Sequence, residues 1–150
     1  QLLNFKRKTE FFMRKLNEIA GDLRDLLLTK FQTVRISALQ TSDQLLEEIQ
    51  AVNPEKLPCV IIGFDNLKFD GSSMTNTLKL KLILTDQFRS GSDERALSVF
   101  QAGSGLLELF PADGREINGV WYYPVDCIAA SPDAQYAALS IGLEIKQGSL

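Results

Sequence analysis

The chain has 150 residues, of which 45% are hydrophobic and 23% charged, and this mixture is typical of a globular protein rather than a disordered one. The formal net charge of −3 argues against a dedicated nucleic-acid binder, because such proteins usually carry a basic surface. The chain has no histidine, which removes the most frequent general base and zinc ligand. No apolar run approaches the roughly 20 residues that a membrane helix needs. The length predicts a single domain over residues 1–150, with the cytoplasm as its default compartment.

The N-terminal part of the chain is predicted to form one long amphipathic helix over residues 2–28, ahead of a sheet with helices over residues 32–147. Its apolar residues recur every seven positions, at Phe5, Phe12, Ile19 and Leu26. Such a narrow stripe favours packing on a sheet. Several basic residues in the first half leave open a contact with a partner chain: Lys6, Arg7, Lys8, Arg14 and Lys15.

The next segments predict a strand, a helix and a second strand. FQTVRISAL, from Phe31, alternates apolar and polar residues as a strand does, and SDQLLEEIQAV at 42–52 predicts a helix that ends before Pro54. LPCVIIGF at 57–64 is apolar without alternation, which indicates a strand covered on both faces. Cys59 and Cys127 both lie in apolar strand-like runs; burial as free thiols is favoured, and a disulfide between them is left open.

The stretch TLKLKLILTD at 77–86 predicts a strand with two different faces. Its leucines fall on every second position, and Lys79 and Lys81 fall between them, so one face is apolar and the other is positively charged. The connection at 65–76 is predicted to be rich in turns, with a reverse turn at Asp70–Gly71. The charged face can look at solvent, at nucleic acid or at another protein chain.

The last third predicts one helix and two strands. The helix that follows RSGSD is expected to bury one face made of Ala96, Phe100, Gly103, Leu107 and Phe110. Residues 111–119 are predicted as a loop, and VWYYPVDCI at 120–128 as a strand with Trp121, Tyr123, Val125 and Cys127 on one face and Pro124 at an edge or bulge. A turn at 131–133 then leads into the alternating strand QYAALSIGLEIKQ. The fold class predicted is α+β, with a mixed or mainly antiparallel sheet of four to five strands and helices packed on one face.

The sequence contains no pattern that indicates catalysis, so we expect no enzyme, no cofactor and no metal. GSGLLELF, from Gly103, lacks the Lys-Ser/Thr ending of a phosphate loop and falls inside a predicted helix. Asp65 and Asp70 are interpreted as turn-stabilising residues, although they could bind a cation with backbone oxygens. Arg35 could share a basic sheet face with Lys79 and Lys81, but no aromatic residues are interleaved with them to stack on bases, which argues against nucleic-acid binding.

The order and spacing of elements across nearly the whole chain resemble the tail terminators of bacteriophages, in particular the small tail proteins of Mu-like prophages. The similarity rests on the N-terminal helix, LPCVIIGFDNLKF, TLKLKLILTDQFRSGSDERA and the closing AQYAALSIGLEIKQ, whereas the helix at 42–52 departs from the pattern. The resemblance implies a structural subunit that forms a ring, six-fold in related tails. That ring caps the tail tube, stops its polymerisation and joins the tail to the head.

The resemblance also implies partners and a location. The partners are sister copies, the tail tube protein and the head–tail connector protein, with no membrane; the location is the virion tail, and the host cytoplasm during assembly. The interface candidates lie on the lysine face, in the 65–76 connection and in the 86–92 loop: Lys79, Lys81, Arg35, Asp70, Phe69 and Arg89. Two alternatives stay open: the cap subunit of a phage-derived contractile injection system, and a non-enzymatic adaptor that binds a partner through its sheet edge.

Overall fold

The computed structural model describes residues 14–38, 42–52, 54–87, 93–133 and 136–148. Within these ranges the chain has an α+β fold of three α-helices and a mixed, curled sheet of six strands. The helices are α1 (Leu16–Leu28), α2 (Ser42–Gln50) and α3 (Asp93–Glu108). The strands are β1 (Thr33–Ser37), β2 (Cys59–Asp70), β3 (Thr75–Gln87), β4 (Arg115–Ile117), β5 (Val120–Asp133) and β6 (Tyr136–Gly148).

The six strands lie in the order β1-β2-β3-β6-β5-β4. β1 and β2 are parallel, and the other neighbouring pairs are antiparallel. The predicted count of four to five strands was one short, because β4 falls inside the predicted 111–119 loop. The missed signal is Asn118–Gly119, whose positive φ angles of 50° and 82° form the two-residue turn between β4 and β5.

Helix α1 is shorter than the predicted helix over residues 2–28. It begins at Leu16, because Lys15 has an extended backbone with φ −72° and ψ 154°. The Lys15 backbone N–H donates to the Glu18 carboxylate at 3.2 Å, which satisfies one of the amides that a helix start leaves unpaired. Residues 1–13 lie outside the described ranges, so the rest of that prediction stays a prediction.

One face of the sheet, here called the inner face, carries the main core. The alternation predicted for 77–86 is confirmed, because Leu78, Leu80, Leu82 and Leu84 are all at most 6% exposed. They pack with α1, with α3 and with the alternate residues of β6 at Ile141, Leu143 and Ile145. Each such side chain contributes roughly 1.5–3 kcal/mol when removed from water, so this layer is the main source of stability.

Helix α2 packs on the opposite face, here called the outer face, so the prediction that all helices share one face was wrong. Ile49 of α2 forms a second small core with Cys59 and Ile61 of β2. Residues 59–62 are therefore buried from both sides, which confirms the interpretation of the unalternating run. The sheet curls enough to bring β5 against α2 as well. None of the helices within the described ranges is long and apolar enough to cross a membrane.

Helix α3 is rotated relative to the predicted face. The buried positions are Val99, Gly103, Leu106 and Phe110, while Phe100 and Leu107 are exposed. Gly103 sets this rotation, because a Cβ there would lie 2.7 Å from Leu139 Cδ1 of β6. The helix therefore approaches the sheet closely at a residue without a side chain.

Strand β5 differs most from its prediction. Val120 and Tyr122 are the buried residues at its start. Trp121 and Tyr123 pair with Lys146 and Glu144 on the outer face, whereas Cys127 pairs with Ile141 of the inner-face core, so the residues predicted to share one face do not. The expected bulge at Pro124 is present, between Pro124 and Asp126. The strand also continues through the predicted turn at 131–133. Both cysteines are free; Cys59 is buried as predicted, but Cys127 is exposed, so its predicted burial was wrong.

Candidate protein-interaction surfaces

A polar groove of about 400 Å³ lies on the outer face, over the middle of β3 and β6. Lys79 and Lys81 of β3 and Gly142 and Glu144 of β6 form its floor. The lysines reach it because the strand alternation that buries the leucines on the inner face sends the residues between them to the outer one. This surface is here called the sheet groove.

The two walls of the sheet groove are formed at β-bulges. Asp65 of β2 is the residue without a partner between Phe64 and Asn66, and Val125 of β5 is the one between Pro124 and Asp126. Asp65, Val125 and Asp126 all line the groove. A bulge turns side chains away from the regular alternation, and bulges are frequent beside functional sites. Both flanking strands are thus irregular at the same level of the sheet.

Charges of both signs meet in the sheet groove. The Lys79 ammonium lies 3.5 Å from the Glu144 carboxylate, and both side chains are partly buried. The Asp126 carboxylate, which follows the bulge in β5, accepts a hydrogen bond of 3.2 Å from the Gly142 backbone N–H. Lys81 is exposed. The groove can therefore pair with a polar protein surface of mixed charge better than with a uniform polyanion.

Arg35 does not extend the lysine surface into one basic patch. It lies on the outer face of β1, where its guanidinium is 3.3 Å from the Glu48 carboxylate of α2. Both side chains line a second groove of about 380 Å³ between β1 and α2, together with Glu47. Since Arg35 and Lys79 each have an acidic partner, the three basic residues named from the sequence share a face but not a common positive field.

The β2–β3 turn presents an apolar tip rather than a charged one. Asp70 accepts hydrogen bonds from the Ser72 hydroxyl at 2.7 Å and the Ser72 N–H at 3.0 Å. The Ser72 hydroxyl and then the Ser73 hydroxyl hold the pKa of the Asp70 carboxyl below its usual value, so Asp70 stabilises its own turn. Phe69 is 73% exposed beside it, and Met74 is 53% exposed. Arg89, the remaining interface candidate, lies outside the described residues.

Two further apolar surfaces were missed by the sequence interpretation. One is the outward side of α3, where Leu97, Phe100 and Leu107 are 65%, 62% and 40% exposed. Apolar residues cover so wide an arc of this helix that their spacing alone does not select the buried side. The other is the rim of β5, where Val125 and Ile128 are 54% and 57% exposed.

No known protein family matches the chain, and no curated protein matches it either. Among the described residues, no three His, Cys, Asp or Glu side chains come together as ligands for a metal ion would. Four candidate surfaces lie in the described part of the chain. They are the sheet groove, the turn tip (Phe69 and Met74), the α3 stripe (Leu97, Phe100 and Leu107) and the β5 rim (Val125 and Ile128).

Proposed function

We propose that this protein is a structural subunit of a phage tail, a tail terminator that forms a ring on the end of the tail tube and joins it to the head. The observation that carries the proposal is the spread of large exposed apolar side chains over separate sides of the fold: Phe69 at the β2–β3 turn, Phe100 on α3 and Ile128 on β5. Each of them has further exposed apolar neighbours in its own element or turn, namely Met74, Leu97 with Leu107, and Val125, and exposed apolar patches of this kind mark surfaces that are covered on assembly.

A ring subunit needs several contact surfaces at once. Its contact with the next copy is heterologous, so two different patches must match, and the tube and the connector each need a further one. The sheet groove, with charges of both signs, provides the polar specificity that distinguishes partners, while the apolar sites provide most of the affinity. In this proposal the ring acts in the virion tail and is assembled in the host cytoplasm.

The test is to delete the gene from the phage or prophage that carries it and to examine the tails by electron microscopy. We expect tails longer than normal and without heads, because nothing stops tube growth; tails of normal length joined to heads would refute the proposal. Purified protein, examined by light scattering and negative-stain microscopy, is expected to form rings alone or on isolated tubes. If the neighbouring genes lack capsid and packaging functions, the same ring belongs to a contractile injection system.

A second candidate is a non-enzymatic adaptor that binds an extended segment of another protein, and the open strand edge of β5 favours it. The two functions differ in self-association. An adaptor is expected to stay monomeric at high concentration and in the presence of tubes, and its deletion is expected to leave tail length unchanged.

A further inference from the structure

Strand β5 has a long edge that no other strand covers within the described part of the chain. It pairs with β6 along its length, but β4 pairs only with its first residues, Val120–Tyr122. Its residues from Val125 to Ala129 are all exposed, so α2 does not cover this edge there. Edges of this kind are usually protected by charges, prolines or bulges. Here the protection is concentrated in Pro124–Asp126, and the residues that follow, Cys127–Ala129, carry neither charge nor proline.

The other end of the same sheet has a matching open edge. β1 is the terminal strand and pairs only with β2 within the described ranges. Its five residues fit the length of the open part of β5. Ile36 of β1 is 47% exposed, so this edge too leaves an apolar side chain in solvent.

The two edges are complementary on both faces of the sheet. Arg35 pairs with Ile61, and Asp126 pairs with Gly142, which places both charged residues on the outer face. On β5, Cys127 and Ala129 pair with Ile141 and Leu139, which belong to the inner-face core. Val34 and Ile36 lie on that face of β1.

If the two strands paired, a positive side chain would meet a negative one on the outer face, and apolar ones would meet on the inner face. Both kinds of cross-strand pair are favourable.

The geometry points to edge-to-edge pairing of sister copies, in which β1 of one copy adds to β5 of the next and continues the sheet around the ring. This inference rests on the proposed ring and specifies its contact. A rotation about an axis roughly along the strands preserves their direction, and β1 runs opposite to β5 within one sheet. The new ladder is therefore antiparallel. With Arg35 opposite Asp126, Val34 of the adjacent copy lies opposite Cys127.

Cysteine cross-linking tests this arrangement, because Cys127 is exposed and Cys59 is fully buried. Opposed strand residues are close enough for a disulfide. We expect oxidised Val34→Cys protein at high concentration to give a ladder of covalent dimers, trimers and larger species, since each copy offers one thiol at each edge. Ile36→Cys with a short bismaleimide provides a second variant at an exposed site. Asn17→Cys, at an exposed position of α1 away from the candidate surfaces, is the matched control and is expected to give no ladder.

The remaining outcomes overturn the inference. Covalent species no larger than a dimer, formed by the wild type as readily as by Val34→Cys, would show that β5 pairs with β5 of a second copy. Absence of any covalent oligomer from both β1 variants would exclude β1–β5 pairing. Rings seen by microscopy in that case would leave the proposed function standing and assign the ring contact to another surface.

A charge introduced at the open edge of β5 provides a second test of β1–β5 pairing. Ile128→Lys places an ammonium at an exposed position of β5 and is expected to weaken self-association at least about tenfold, since a loss of roughly 1.4 kcal/mol per contact corresponds to that factor. Asn17→Lys adds the same charge at an exposed position of α1, away from the candidate surfaces, and is expected to leave association unchanged. Equal association of the two variants would contradict the inference.

Discussion

Reversal of both groove lysines, Lys79→Glu with Lys81→Glu, separates a binding role of the sheet groove from a solvated surface. Each replacement lowers the net charge by two, so the formal charge falls from −3 to −7. The change also places a carboxylate near Glu144, where Lys79 now lies at 3.5 Å. An exposed or partly exposed ion pair is worth about 0.2–1 kcal/mol, and like charges at that spacing cost a similar amount.

We therefore expect the double variant to lose about 1–2 kcal/mol of unfolding free energy in urea and to remain folded. Ring assembly is expected to fail, because the groove then presents only negative charge to its partner. The assay is ring size by light scattering, repeated at high salt, where screening should restore part of the assembly if the contact is electrostatic.

Two controls make the result interpretable. Lys56→Glu changes an exposed lysine away from the groove and is expected to leave assembly unchanged. The swap Lys79→Glu with Glu144→Lys restores the intramolecular pair, so it should recover stability. If the swapped variant recovers stability but not assembly, the partner depends on which of the two positions carries the positive charge and not on the ion pair itself. Unchanged assembly of the double lysine variant would refute the reasoning and return both lysines to a solvated face.

Two further predictions concern stability. Gly114→Ala should lower the unfolding free energy by about 2–4 kcal/mol, because Gly114 has a φ of 100° and an added Cβ would lie 2.6 Å from the Tyr123 ring. Gly21→Ala in helix α1 is the control. A Cβ added there has no neighbour within 4 Å, so this variant should raise the unfolding free energy by about 1 kcal/mol in the same urea titration. Burial raises the pKa of the Cys59 thiol to about 11. The unfolded thiol releases its proton first, near pH 8.5, so stability should fall as the pH rises from about 9 to 11, and Cys59→Ala should remove that part of the slope; an unchanged slope would contradict it.

Regular strands were the part of the fold that could be predicted from the sequence. The alternation of β3 reflects burial of one face, and the unbroken apolar run of β2 reflects burial of both faces. In each strand the spacing of apolar residues follows directly from which faces are buried. The side of the sheet on which α2 packs was not readable, because β2 is apolar on both faces. The rotation of α3 was not readable either, since it depends on the fit between Gly103 and Leu139 of a strand distant in sequence.

The candidate site was harder to predict than the core, and the reason is the same at both of its walls. The interpretation of β5 allowed a bulge at Pro124 but still placed residues from before and after it on one face, whereas the bulge changes which side chains reach the outer face. The bulge in β2 at Asp65 does the same on the other wall. Lys79 and Lys81 lie between the two bulges on regular strand, which is why the lysines were found from the sequence while Val125 and Ile128 were missed. The charges of the sheet groove follow from the regular alternation of side chains along a strand. Its shape and its apolar rim follow from the two β-bulges, where that alternation is interrupted.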